Sequence, residues 1–376
     1  MKIIIIGTVA SSLLGFRAPF IKMLVKKGHT VYAFSMDYTS EQKLNIIDVG
    51  AIPVDYSINR FGINPLSDIF NTIKLSRALR QINPDIVLSY FAKPVIFGTI
   101  AAWLAGVKNR VGMLEGLGYT FTDLPEGESF KKKAIKNIQV LLYRLSIPLL
   151  QRLIVLNPDD KKDLVDTYSI KTKKVSVLGG IGLELDQYPF IPVKESNDVN
   201  FTFIGRLLKE KGINQFLSAA EVVKGKYPNA TFTILGGTEP DSSSSVTLTR
   251  LEQLCEMGVV QYPGQVPDIP DWLAKCSVFV LPSYREGVPR STQEAMAIGR
   301  AIITTDVPGC RETIEHKRNG LLIPAHDVDA LVEAMTYFVE RPDKLSVMGL
   351  ESHKIAVDKF DVNKVNEKLY RYLMDH

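Results

Sequence analysis

The strongest constraint on this chain is a rhythm of short apolar runs separated by helical patterns. The runs KIIIIG (2–7), TVYAFS (30–35), AIPV (51–54), DIVLSY (85–90), NRVGML (109–114), RLIVLN (152–157) and KVSVLG (174–179) are rich in Val, Ile and Leu. Helical patterns lie between them at about 17–28, 66–82, 94–105 and 131–147. Strands that are apolar on both faces and alternate with helices predict a parallel sheet covered on both sides. Residues 180–198 (GIGLELDQYPFIPVKESND) carry Gly and Pro without any period and read as a linker. The alternation then restarts with NFTFIG (200–205), ATFTILG (230–236), VVQYPG (259–264), SVFVLP (277–282) and RAIITT (300–305). Its helices are expected at about 211–226, 268–275, 290–298 and 327–340, with SSSS (242–245) as a polar loop before a further helix. The expected fold class is therefore α/β, with two Rossmann-like domains whose parallel sheets face an interdomain cleft. The first domain spans 1–180, the linker 181–198 and the second domain 199–357, and a last helix at about 358–376 packs back on the first. Ligands of such folds bind at the carboxyl ends of the strands.

Composition narrows the classes. The three cysteines, Cys255, Cys276 and Cys310, are far apart and form no C-x-x-C, which points to a reducing compartment rather than a disulfide framework or metal cluster. The four-isoleucine run near the start is too short for a secretory signal and reads as a buried first strand. No segment approaches the length of apolar sequence that spans a bilayer, and 138–156 is broken by Arg144, Pro148 and Arg152. The net charge of +4 is unevenly spread: residues 1–152 hold 19 Lys and Arg against 10 Asp and Glu, net +9, and the remainder is net −5. A basic half without a nucleic-acid motif points to anionic lipid or a phosphorylated acceptor.

The stretch REGVPRSTQEAMAIGRAII (285–303) carries most of the chemistry. Glu286 and Glu294 stand with seven residues between them, the first in a turn after a strand and the second inside a helix. Pro289 suits the first turn of that helix. A helix N-terminus offers free N–H groups and a positive dipole end to an anion. The arrangement suits a ligand with phosphate in the middle and hydroxyls at both ends, such as a nucleotide sugar. A second motif, FIGRLLKEKGI (203–213), ends a strand at Gly205 and places Arg206 and Lys211 in the following loop. Two cations after a strand can neutralise a diphosphate; the plainer reading is a solvated basic turn paired with Glu210.

Over its whole length, and most strongly over 201–325, the chain resembles the retaining glycosyltransferases of family 4, which have the GT-B fold. The motifs that carry the resemblance are FIGRLLKEKG, ILGG (234–237), VLPSYREGVPRSTQEAMAIGRAIITT (280–305), VPGCRETI (307–314) and NGLLIP (319–324). The EGVPR and PGCRETI wording looks most like bacterial members that extend polyprenyl-diphosphate-linked oligosaccharides, the PglA-like N-acetylgalactosaminyltransferases among them. The resemblance implies a UDP-sugar donor, with Arg206 and Lys211 on its diphosphate, Glu286 on the sugar hydroxyls and Glu294 on the ribose. Gly205 and the backbone of Gly287, Val288 and Pro289 would meet the phosphates, and Gln265 and Val266 the nucleobase. In the first domain a loop over residues 7–16 would close on the diphosphate, with Gly15 allowing close approach. Glu286, Arg206 and Lys211 would form the catalytic set.

Many relatives carry a histidine near the donor sugar where this chain has Leu114-Glu115-Gly116. Glu115 either makes that contact, as a fourth catalytic residue, or is a loop residue with no role. Retention by same-face attack, with a donor phosphate oxygen taking the acceptor proton, requires no enzymic base. No cofactor or bound metal is implied, and the D-x-D of Asp327 and Asp329 reads as a helix cap.

The expected partners are a UDP-sugar, a lipid-diphosphate-linked saccharide and an anionic membrane surface, not nucleic acid. Within FKKKAIKNIQVLLYRLSIPLL (130–150), Lys131, Lys132, Lys133 and Lys136 accompany an apolar helical face. That pattern suits a helix lying on an anionic bilayer at the cytoplasmic side of the membrane. The alternative is a helix packed on its sheet with lysines in solvent. Phe16, Phe20 and Met23, near Arg17 and Lys22, either extend the membrane surface or belong to the core. The same fold also hosts nucleotide-sugar epimerases, and a non-catalytic nucleotide-sugar scaffold is a further alternative. An NAD site is disfavoured, because GTVASSLLG after the first strand is not G-x-G-x-x-G.

Overall fold

The computed structural model describes residues 1–58, 65–193, 198–238 and 245–375. Part of the SSSS segment therefore lies outside the described residues. The chain forms two compact units. The first comprises Met1–Thr120, Ser129–Ile181 and Val365–His376, and the second Phe121–Glu128 and Gly182–Lys364.

The first unit is built on a seven-stranded parallel sheet. Its strands are β1 (Lys2–Ile6), β2 (Thr30–Ser35), β3 (Ile52–Asp55), β4 (Ile86–Tyr90), β5 (Asn109–Leu114), β6 (Arg152–Val155) and β7 (Val175–Val177), in the order β3-β2-β1-β4-β5-β6-β7. Ile3, Ile4, Ile5 and Ile6 are fully buried, as a central strand covered on both faces requires. The helix Val362–Met374 completes this unit from the far end of the chain. It buries Val365, Leu369 and Leu373. Around it, Arg152 pairs with Asp375 at 2.5 Å, and the His29 ring lies 3.1 Å from the Tyr370 hydroxyl.

The second unit repeats the plan with six parallel strands. They are β8 (Asn200–Ile204), β9 (Thr231–Leu235), β10 (Gln261–Gly264), β11 (Val278–Leu281), β12 (Ala301–Thr305) and β13 (Gly320–Ile323), in the order β10-β9-β8-β11-β12-β13. In each sheet the order reverses beside the first strand, between β1 and β4 and between β8 and β11. The carboxyl ends at such a reversal diverge and leave a crevice.

Three local features depart from the sequence expectations. Residues 7–16 do not form an open loop: the chain is helical from Ala10, through Ala10–Ser12, Leu13–Arg17 and Ala18–Lys26. The distant Asp37 carboxylate accepts the Ala10 N–H at 2.7 Å and so stabilises this early start. Gly15 is thereby an exposed residue within a helix. The helix Ser40–Asp48 has a Thr39/Gln42 capping box, but Leu44 and Ile47 are exposed and only Ile46 is buried, so it lacks an apolar period. β13 is four residues long, too short to show one.

Candidate active site

The reversal of the second sheet sets β8 and β11 side by side, with Phe201 opposite Val278 and Thr202 opposite Phe279. Their carboxyl ends release the two loops that carry the sequence motifs. β8 leads through Gly205 and Arg206 into the turn Lys209–Lys211 and the helix Ile213–Lys226. β11 leads through residues 282–289 into the helix Arg290–Ile298.

Lys211 and Glu286 meet between these loops. Lys211 Nζ donates to Glu286 Oε1 at 2.5 Å, and Ser283 Oγ donates to the same oxygen at 2.7 Å. The pairing is held by backbone on both sides. Gly212, next to the lysine, has φ 76°, and a Cβ there would lie 2.0 Å from the Pro282 carbonyl oxygen. On the other side Glu286 N–H donates to Pro308 O at 3.0 Å, and a Cβ on Gly309 (φ 79°) would lie 2.2 Å from the Glu286 carbonyl oxygen. Only glycine fits either place. Burial, with the Glu286 charge adding to it, pushes the nearby Cys310 thiol up to about 12, so it stays neutral.

Glu294 is held in a matching way. Arg290 Nε donates to its Oε1 at 2.8 Å and the Tyr188 hydroxyl donates to the same oxygen at 3.0 Å. Burial first, then the charge of Glu294, pushes the Tyr188 hydroxyl up, so it remains a donor. Each carboxylate thus receives a cation and a hydroxyl on Oε1, and oxygens of this kind act only as acceptors. Between them begins the helix Arg290–Ile298, whose N-terminus has no side-chain cap. Pro289 stands just ahead of that helix with extended backbone (ψ 124°) rather than in its first turn, because Arg290 is the first helical residue. Gly287, Val288 and Pro289 are buried, and Gln293 Nε2 holds the Val288 carbonyl at 3.1 Å. Two acceptor carboxylates flanking a positive helix end make a site for a polyhydroxylated anion.

Tyr188, Ser283 and Arg290 were not assigned from sequence. Arg290 leaves a trace, since it stands four residues before Glu294 on the same helix face; Tyr188 lies in the linker and leaves none. Tyr188→Phe removes one neutral donor from Glu294, worth about 1 kcal/mol. On the ribose contact that the resemblance implies for Glu294, the variant should raise the donor KM about fivefold with little change in kcat; steady-state rates over donor concentration check this, and an unchanged KM rejects it.

Other expected residues fall nearby or elsewhere. Arg206 is exposed, and the following Leu207 N–H donates to Gly237 O at 3.0 Å. Gln265 is exposed with its Oε1 facing Gly237, and Val266 is half-buried. In the first unit Glu115 is paired with Arg17, which is 1 % exposed and lies 5.3 Å from the Tyr90 ring centre. Arg17 is therefore a buried partner of Glu115, not a surface cation, and Phe20 is core while Phe16 stays exposed. Lys132, expected at the membrane surface, is likewise not a surface cation. It is 3 % exposed and its Nζ lies 4.8 Å from the Tyr119 ring centre, whereas Lys131 and Lys133 face solvent and Lys136 is half-buried. Asp327 caps its helix by accepting the Ala330 N–H at 2.9 Å. Among the described residues no group of three or more His, Cys, Asp or Glu is placed to hold a metal ion.

Residues 20–180 match the family model described as Glycosyltransferase Family 4, and residues 198–341 match that described as Glycosyl transferases group 1. The chain belongs to the family 4/group 1 glycosyltransferases. This family 4 chain is 29 % identical over 354 residues to the Campylobacter jejuni N,N'-diacetylbacillosaminyl-diphospho-undecaprenol alpha-1,3-N-acetylgalactosaminyltransferase, covering 90 % of each chain. It is 28 % identical to the Escherichia coli UDP-Gal:alpha-D-GlcNAc-diphosphoundecaprenol alpha-1,3-galactosyltransferase, over 83 % of this chain and 81 % of that one. Its fold matches that of Anabaena HepE solved with UDP and glucose, at TM-score 0.79, 17 % identity and full coverage of both chains. The fold is GT-B and the family 4 enzyme is a hexosyltransferase.

Proposed function

We propose that this enzyme moves a hexosyl or N-acetylhexosaminyl group from a UDP-sugar to a saccharide carried on a polyprenyl diphosphate, with retention of configuration. N-acetylgalactosamine is the leading donor sugar and bacterial surface-glycan assembly the setting. The observation that carries the reading is the Lys211–Glu286 pair at the β8/β11 reversal, beside an uncapped helix end. Support for the acceptor class comes from the names of the Campylobacter and Escherichia relatives.

In this reading Lys211, Arg206 and the helix end stabilise the charge that develops on the departing nucleoside diphosphate. Preorganised donors of this kind are worth about 10²–10³ each in rate. The bond from the anomeric carbon to the phosphate oxygen breaks as the acceptor oxygen bonds the same face. The acceptor proton passes to the leaving phosphate oxygen. Glu286 accepts from sugar hydroxyls and Glu294 from the ribose, so neither exchanges protons. Gln265 and Val266 face the base, and Gly205 and Gly287 to Pro289 the phosphates.

An epimerase of the same fold would convert the donor without an acceptor. Incubation with a panel of UDP-sugars and short polyprenyl-diphosphate saccharides should give a product heavier by one sugar. UDP release that never yields such a product would sink the transferase reading.

The proposal includes contact with an anionic membrane surface at the cytoplasmic side. No helix among the described residues is long and apolar enough to cross a membrane. Exposed Lys131 and Lys133 follow the 90 %-exposed Phe130 in the first turn of the helix Phe130–Ser146. Each basic residue near such a surface contributes about 1 kcal/mol. Replacing Lys131 and Lys133 with glutamine should weaken sedimentation with phosphatidylglycerol vesicles about thirtyfold; unchanged association rejects the contact.

A further inference from the structure

The first unit carries an apolar groove that the donor chemistry does not use. It encloses about 660 Å³. Its walls are Ile69 of the helix Pro65–Ile82, Ile96 and Phe97 of the segment Pro94–Gly98, and Ile135, Ile138 and Leu142 of the helix Phe130–Ser146.

Two helices turn apolar stripes outward here. In the helix Pro65–Ile82, Leu66, Ile69, Phe70 and Ile73 have the i, i+3, i+4, i+7 spacing of a core-facing stripe. They are 82, 58, 68 and 41 % exposed, while Asp68, Thr72 and Ser76 on another face are buried. The helix Phe130–Ser146 presents Ile135, Ile138 and Leu142 at i, i+3 and i+7, with Ile135 and Ile138 over a third exposed. Apolar surface gathered into one groove, rather than scattered singly, is a candidate interaction surface.

Charge selects the occupant. Lys93 and Asp68 stand on the wall with opposite formal charges, so together they add no net charge to it. Gln139 is engaged by Thr120 and Tyr143. Lys131, exposed at the start of its helix, is left as the excess cation on the groove. The matching ligand is a long apolar chain ending in an anion, with its body on the isoleucines and its charged end toward Lys131, away from Asp68.

We propose that the groove holds the diphosphate-proximal isoprene units of a polyprenyl chain, with the diphosphate facing Lys131. This rests on the acceptor class proposed above. A volume in the range of small-molecule pockets takes only part of such a chain. The remainder continues over Leu66, Phe70 and Phe130 into the bilayer.

The test uses the full-length protein with phosphatidylcholine nanodiscs containing undecaprenyl, farnesyl or citronellyl diphosphate without sugar. Affinity should rise with chain length, and Ile69→Asn with Ile138→Asn should weaken undecaprenyl diphosphate binding at least tenfold. Both positions are exposed, so UDP affinity and the thermal midpoint should stay unchanged in the variant. Chain-length-independent binding, an unaffected variant, or equal competition by phosphatidylglycerol overturns the groove. So does a variant whose only change is in self-association. Transfer assays separate the two readings. Saccharide transfer with one KM for all chain lengths leaves the acceptor class standing and removes the groove. Isoleucine-dependent binding without transfer to any polyprenyl acceptor does the reverse.

Discussion

Glu286→Gln should lower kcat by about two to three orders of magnitude, the scale seen when one preorganised electrostatic contact is removed. Glutamine keeps the shape of the side chain and its bond from Ser283, but not the charge. Lys211, whose side chain is 21 % exposed, would then face no opposing charge at 2.5 Å. Its ammonium would seek other oxygens, and the sugar contact proposed above would lose an acceptor of full strength. Because Glu286 is assigned to the sugar and not the nucleoside, affinity for UDP alone should change much less than turnover. Lys211→Ala should show the opposite balance, weakening UDP binding along with rate. Initial rates and UDP titrations on both variants decide the matter; turnover within about threefold of the parent in both removes the pair from the reaction.

Gly309→Ala should damage the same pair without touching either side chain. The residue sits at φ 79°, and an added methyl would lie 2.2 Å from the Glu286 carbonyl oxygen and 2.5 Å from that of Gly287. Both obstacles are backbone, so neither can swing aside. The cost should be about 2–4 kcal/mol, combining the left-handed conformation with the clash. For a unit of this size that corresponds to a fall of roughly 5–15 °C in Tm. The relief available is a shift of the 286–287 backbone, which carries Glu286 away from Lys211. Calorimetry with and without UDP should therefore show a lower midpoint and a smaller shift on ligand addition. Gly225→Ala is the control, since a methyl there meets nothing within 4 Å and the residue lies in a helix of the same unit. A Gly309→Ala midpoint equal to the control would refute the argument.

How far sequence alone reaches depends on the range of the physics involved. Strands such as Ile3–Ile6 and Val278–Leu281 show themselves through unbroken apolar runs, because burial on both faces is written into consecutive residues. Glu286 and Glu294 stand out together since one helix start joins them. The meeting of Lys211 with Glu286 depends instead on β8 lying next to β11, and strand order leaves no local mark. Tyr188 reaches Glu294 across 106 residues, and Arg17 reaches Glu115 across 98. Lys132 looks like its neighbours until the Tyr119 ring appears beneath it. The helix Pro65–Ile82 shows how periodicity misleads: its apolar spacing is that of a core face, yet the fold points Leu66, Ile69 and Phe70 outward.

The return of residues 365–376 to the first unit has a bearing on how the protein is made. Synthesis proceeds from the amino end, so all of residues 182–364 leave the ribosome before Leu369 and Leu373 do. Until then the apolar seat of the last helix and the side chain of Arg152 are uncovered in the nascent chain. The second unit has its whole sequence available earlier, although most of it is made later than the first. Of the two units the first is therefore completed after the second, and a chaperone that shields exposed apolar surface during synthesis should find a longer-lived target on the amino-terminal sheet than on the second.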